Sequence, residues 1–174
     1  MEQRGVAVMV VDDDTALLDV LRSGLLPEGY LCETATNATR ALELINKTPF
    51  DIMIADIELP DMNGLELTKK AKRLKPNMAV IIMTGFIEDF SYDDAIGIGA
   101  SDFLKKPFTI KELLTKINQI KIQEELQKRE KELQKKVKEL EEFYNIAVGR
   151  ELRMKELKEE IEQLKEELER YRKS

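Results

Sequence analysis

Carboxylates, a hydroxyl and a lysine stand at the ends of short apolar runs in this chain. Val6–Val11 runs into Asp12, Asp13 and Asp14. Ile52–Ala55 ends at Asp56, Met78–Met83 at Thr84 and Gly85, and the short stretch from Ser101 to Leu104 at Lys105 and Lys106. In a parallel sheet such ends share one edge, which gathers Asp12, Asp13, Asp56, Thr84 and a lysine into one pocket. Neighbouring carboxylates repel and resist joint ionisation. A divalent hard cation relieves this, and Mg²⁺ suits oxygen-only ligands. Asp56 then qualifies as a nucleophile toward a phosphoryl group, with the metal and a lysine offsetting the charge on its oxygens and Thr84 offering a hydroxyl. Each residue also has an ordinary use: Asp14 or Thr15 caps a helix, Thr84 ends a strand, lysines meet solvent. Their joint occurrence in this order makes the chemical reading.

The elements that must position these groups follow from periodicity. Val6–Val11, Tyr30–Ala35, Ile52–Asp56, Met78–Met83 and Ser101–Leu104 read as strands. Leu17, Leu18, Leu21 and Leu25 lie at helical spacing before Pro27 and Gly29. Ala38, Ala41, Leu42 and Ile45 do so after Thr36 or Asn37 as cap, and Leu65, Leu67, Ala71 and Leu74 before Pro76. A weak, Gly-interrupted helix is expected around Asp93–Ile98 within a loop from Phe86 to Gly99, and Thr109 is expected to cap a helix beginning at Ile110. Strands alternating with helices predict a doubly wound, five-stranded parallel α/β sheet.

Composition excludes several classes of function. There is no histidine, which rules out a Ser-His triad, His-ligated zinc and a phosphohistidine made on this chain. The single cysteine, Cys32, in an apolar setting, reads as a buried thiol. Residues 1–118 hold 13 Lys and Arg against 19 Asp and Glu, and residues 119–174 hold 15 of each. No basic patch marks a nucleic-acid binder. No apolar run is long enough for a membrane span or a signal-peptide core, so a soluble, cytoplasmic protein is expected.

The ordered set VVDDD, IADIELPDMNGLEL, VIIMTG and GASDFLKKPF resembles the receiver domain of two-component response regulators, over roughly residues 5–119. The resemblance implies a flavodoxin-like fold in which Asp56 is phosphorylated by a histidine kinase, a phosphotransfer protein or a small phosphodonor. It implies Mg²⁺ held by Asp12 or Asp13, Asp56 and the backbone carbonyl of Glu58. Lys106 is then the phosphate-binding lysine and Lys105 a bystander, Thr84 the switch hydroxyl and Phe103 the aromatic switch. Phosphorylation draws Thr84 to the phosphate and lets Phe103 turn inward, reshaping the face of the fourth helix, fifth strand and fifth helix. Glu58 and Phe86 occupy positions that tend to set the lifetime of the phosphorylated state. Such a domain is not an enzyme beyond its own phosphorylation and dephosphorylation. Asp12 and Asp14, spaced D-x-D before Thr84 and Lys106, also resemble haloacid-dehalogenase-type phosphatases, but that class has no use for Asp56.

From Ile110 to Tyr171 there is no proline, and Gly149 is the only glycine. Leu126, Leu133, Leu140, Ala147, Met154, Ile161 and Leu168 recur every seven residues. Ile122, Phe143, Leu157, Leu164 and Tyr171 share a companion column with the polar Arg129, Lys136 and Arg150. Val137 and Tyr144 indicate a locally shifted seam, so the middle third, through Gly149, is expected to be less regular. The pattern predicts a receiver at 1–119 followed, at 120–174, by a coiled coil that forms a parallel homodimer. The stretch ELEEFYNIAVGRELRMKELKEEI resembles signalling helices that join receiver or sensory modules to output domains. No helix-turn-helix, cyclase or kinase-core motif is present. The expected function is phosphorelay signalling passed into a dimeric coiled coil. The alternative is a structural dimerising scaffold with an idle receiver.

Overall fold

A computed structural model describes residues 5–85 and 97–173. Among them the strands are β1 (Ala7–Val11), β2 (Leu31–Ala35), β3 (Ile52–Asp56), β4 (Ala79–Thr84) and β5 (Asp102–Lys105). The helices are α1 (Thr15–Leu25), followed by a 3₁₀ turn (Leu26–Glu28), then α2 (Ala38–Lys47), α3 (Gly64–Leu74) and a long helix, here α4 (Ile110–Lys173). The expected weak helix around Asp93–Ile98 lies, but for its last residues, outside the described residues.

All strand pairs are parallel and the order is β2-β1-β3-β4-β5. Every residue of β1, β3 and β4 is buried, as continuous apolar runs require when helices cover both faces, whereas the edge strand β2 alternates. Alternate strand residues feed two cores. Met9, Val11, Met53, Ala55, Val80 and Ile82 pack with Ala38, Ala41 and Ile45 of α2 and Leu67 and Ala71 of α3. Val8, Val10, Ile52, Ile54, Ile81 and Met83 pack with Leu18, Leu21 and Leu25 of α1 and Leu113, Ile117 and Ile120 of α4. The strand order reverses between β1 and β3, so a crevice opens beyond their carboxyl ends.

Helix starts are chemically specified. Asp14 caps α1, Asn37 caps α2 and Asn63 caps α3, each side chain accepting from first-turn amides. Thr109 and Glu112 form a reciprocal capping box at the start of α4: the Thr109 N–H donates to Glu112 Oε2 at 2.7 Å, and the Glu112 N–H to Thr109 Oγ1 at 3.2 Å. After α1, Gly29 takes φ +83°, a left-handed conformation that glycine adopts without strain.

The chain divides into two units, Met1–Ile122 and Gln123–Ser174. Helix α4, 64 residues long, is continuous across the expected 119/120 boundary and through Gly149. Among the described residues no helix is long and apolar enough to cross a membrane.

Candidate functional site

The three consecutive aspartates after β1 are divided among different tasks. Asp12 is buried, and its Oδ1 accepts from the Asp14 backbone N–H at 2.9 Å. Asp14 caps α1 through the amides of Ala16 and Leu17 at 2.9 and 3.2 Å, which leaves the D-x-D reading without its second carboxylate. Asp13 is exposed. Asp12, Asp13 and Asp56 each offer a carboxylate oxygen to a cluster whose members lie within 4.8 Å of one another.

Asp56 ends β3 opposite Met83 of β4, and the Ile57 N–H donates to the Met83 carbonyl at 3.1 Å. The next residue of β4, Thr84, is buried, and its carbonyl accepts from the Lys106 N–H at 2.8 Å. That bond seats Lys106, just past β5 and joined to Pro107 by a cis peptide. Lys106 Nζ reaches back across the crevice to Asp12 Oδ2 at 2.7 Å and to Asp56 Oδ2 at 2.5 Å. The Glu58 N–H lies 3.4 Å from Asp56 Oδ1. Lys105 is exposed.

The electrostatics follow from this packing. Burial pulls the Lys106 pKa down, but hydrogen bonds and charge from Asp12 and Asp56 outweigh it, and the net shift is upward from 10.5. Three carboxylates and one ammonium sum to −3 + 1 = −2, the charge a divalent cation offsets. The donors are all oxygen, as Mg²⁺ prefers. The three carboxylates, Asp12, Asp13 and Asp56, therefore fit such an ion. Phe103 of β5 is half-buried and packs against the core shared by α2 and α3.

Two features of this region are not evident from the sequence motifs. A Cβ on Gly64 would lie 1.9 Å from the Asp56 carbonyl oxygen, so only glycine lets the loop after β3 return so close to the strand end. Asp61, in that loop, accepts from the Ala38 N–H, the Thr39 N–H and the Thr39 hydroxyl at 2.9, 2.8 and 2.6 Å. Only its place in a Pro- and Gly-bounded loop signals it.

Residues 8–118 match the family model for the response regulator receiver domain. The chain belongs to the response regulator receiver family. It is 39% identical over 112 residues to the DNA-binding transcriptional regulator NtrC of Proteus hauseri, an alignment spanning 64% of this chain and 24% of that protein. It is 33% identical over 113 residues to the response regulator SaeR of Staphylococcus aureus, across 65% of this chain and 49% of that protein. The chain thus spans half or less of these regulators' length. The crystal structure of a CheY-like receiver domain protein from Methanospirillum hungatei superposes with TM-score 0.62 at 37% identity, covering 74% of this chain and 99% of that one. Receiver domains serve two-component phosphorelays, in which they work with histidine kinases or phosphotransfer proteins, and they generally bind Mg²⁺ in an acidic pocket.

Proposed function

We propose that this chain is a phosphorylation-dependent signal receiver with Asp56 as its acceptor. The supporting observation is that one ammonium, Lys106 Nζ, spans Asp12 and Asp56 beside the third carboxylate, Asp13. A carboxylate oxygen of Asp56 forms a bond to phosphorus as the bond to the donor's nitrogen or oxygen breaks, and the leaving group departs with that electron pair. Asp12, Asp13, Asp56 and the Glu58 carbonyl would hold a Mg²⁺ ion, which would supply positive charge to the phosphoryl oxygens. Lys106 adds charge on the other side, exchanging its contact with the free carboxylate for one with the phosphoryl group. Thr84 donates its hydroxyl to a phosphoryl oxygen, and Phe103 moves with it. Hydrolysis of the acyl phosphate resets the site, so the only chemistry is the chain's own phosphorylation and dephosphorylation.

The output we assign to α4. Leu126, Leu133, Leu140, Met154 and Ile161 are between 51% and 68% exposed in the single chain, an apolar seam that a second copy covers. A parallel homodimer through this seam receives the change made at the receiver. Incubation with Mg²⁺ and acetyl phosphate, followed by intact mass, tests the proposal. A phosphate adduct on the native chain that is absent from Asp56→Asn is expected; no adduct on either refutes it.

A further inference from the structure

The loop between β3 and α3 carries Glu58 and has two different kinds of attachment. Its neck is closed by backbone bonds: the Gly64 N–H donates to the Ile57 carbonyl at 2.8 Å, and the Ile57 N–H to that of Met83 at 3.1 Å. Its far side is tied to a different element. Asp61 accepts three hydrogen bonds from Ala38 and Thr39 in the first turn of α2. Leu59 and Met62 of the same loop pack, partly buried, against the core that α2 covers. The start of α2 has its own cap as well, Asn37, whose side chain accepts from the Arg40 N–H at 2.8 Å. Asp61 therefore satisfies two further first-turn amides from outside the helix, which gives it a second role as a tether.

We propose that Asp61 is a positioning residue for the phosphoryl-acceptor site: by tying the β3–α3 loop to α2 it holds the Glu58 backbone beside Asp56, where its carbonyl would be available to a bound Mg²⁺. This rests on the reading of the pocket given above. Groups that orient metal ligands without touching the metal typically change affinity by about 10- to 100-fold when removed, and a tether acting through three residues of loop belongs at or below the lower end. The Thr39 hydroxyl, followed by the amides of Thr39 and Ala38, holds the Asp61 carboxyl down at about 2, so the tether is anionic throughout the neutral range.

The test uses the full chain and Mg²⁺ alone as probe, titrated by calorimetry, with urea unfolding and amide exchange recorded in parallel. Asp61→Ala is expected to weaken Mg²⁺ binding about three- to tenfold and to lose protection at Ala38 and Thr39. Asp61→Asn, which keeps an acceptor oxygen, recovers part of the affinity. Asn37→Ala removes the other cap of α2 without touching the loop, and is expected to lower stability while leaving Mg²⁺ affinity within about twofold of the native value. Equal loss of Mg²⁺ affinity in Asp61→Ala and Asn37→Ala, or no loss in Asp61→Ala, overturns the proposal and reduces Asp61 to a helix cap. A native chain that binds no Mg²⁺ refutes the receiver chemistry itself, and this inference with it.

Discussion

Lys106 holds two buried carboxylates with one ammonium, and that imbalance makes it the most consequential side chain for the resting pocket. Replacing it by Met leaves Asp12 and Asp56 without the cation that pairs them among the described residues. Breaking a buried pair costs about 3 to 5 kcal/mol, and the partial exposure of Lys106 scales this down to roughly 1 to 3 kcal/mol. Urea unfolding of Lys106→Met without divalent ions is expected to show that loss, and saturating Mg²⁺ to recover much of it by binding the native state alone. An unchanged midpoint in metal-free buffer counts against the electrostatic account. Cys32 offers a second residue-scale test. Burial, with Arg22 opposing and Glu33 assisting, pushes its thiol up from 9.0 to about 11. A raised native pKa means stability that is complete below pH 9.0 and lost as pH climbs through about 11, because only the unfolded chain ionises in that window. A rise from 9.0 to about 11 corresponds to at most about 2 to 3 kcal/mol. The stability of the native chain should therefore fall more steeply from pH 9.0 to 11 than that of Cys32→Ala, and equal slopes would exclude the effect. At this scale the sequence was informative where chemistry repeats a pattern: Asp12, Asp13, Asp56, Thr84 and a lysine are legible from strand ends, and the choice of Lys106 over Lys105 came from the family resemblance. Asp61 was not, because its partners lie more than twenty residues away and a loop aspartate has many local uses.

Among the elements, strands were the most legible, for a physical reason. β1, β3 and β4 are buried on both faces, so their sequences are apolar throughout, and their ends coincide with the polar residues of the site. Boundaries shifted by a residue where burial does not mark them: β2 starts at Leu31 although Tyr30 before it is also buried, and β5 starts at Asp102. The long helix is legible from the absence of proline and its apolar seam from the heptads, and the second copy is expected because an isolated helix leaves that seam uncovered. Exposed intrahelical pairs such as Lys135 with Glu139 at 3.7 Å and Arg153 with Glu156 at 3.3 Å contribute only about 0.3 to 0.5 kcal/mol each. Burying a leucine or isoleucine contributes about 1.5 to 3 kcal/mol, so the seam outweighs the pairs. Substituting Met154 and Ile161 together by Lys should convert a dimer into a monomer in sedimentation equilibrium. Urea unfolding of the sheet should change little, because both positions lie beyond Ile122. A native chain that sediments as a monomer contradicts the homodimer.

In the whole chain, one continuous helix runs across the boundary between two units of different character. Met1–Ile122 carries nearly all of the buried apolar core and the whole acidic pocket. Gln123–Ser174 contributes a seam of exposed apolar side chains on a helix whose charges nearly cancel. The proposed function puts reaction in the first and readout in the second, and it depends on the acceptor being Asp56 and no other carboxylate of the cluster. The most direct measurement is to trap the acyl phosphate: the chain is treated with acetyl phosphate and Mg²⁺, reduced with borohydride, and mapped by peptide mass spectrometry. Reduction converts a phosphorylated aspartate to homoserine, so the label stays where the phosphoryl group was. The account predicts homoserine at position 56 alone, with none in Asp56→Asn. Homoserine at Asp12 or Asp13, or none anywhere, would contradict it.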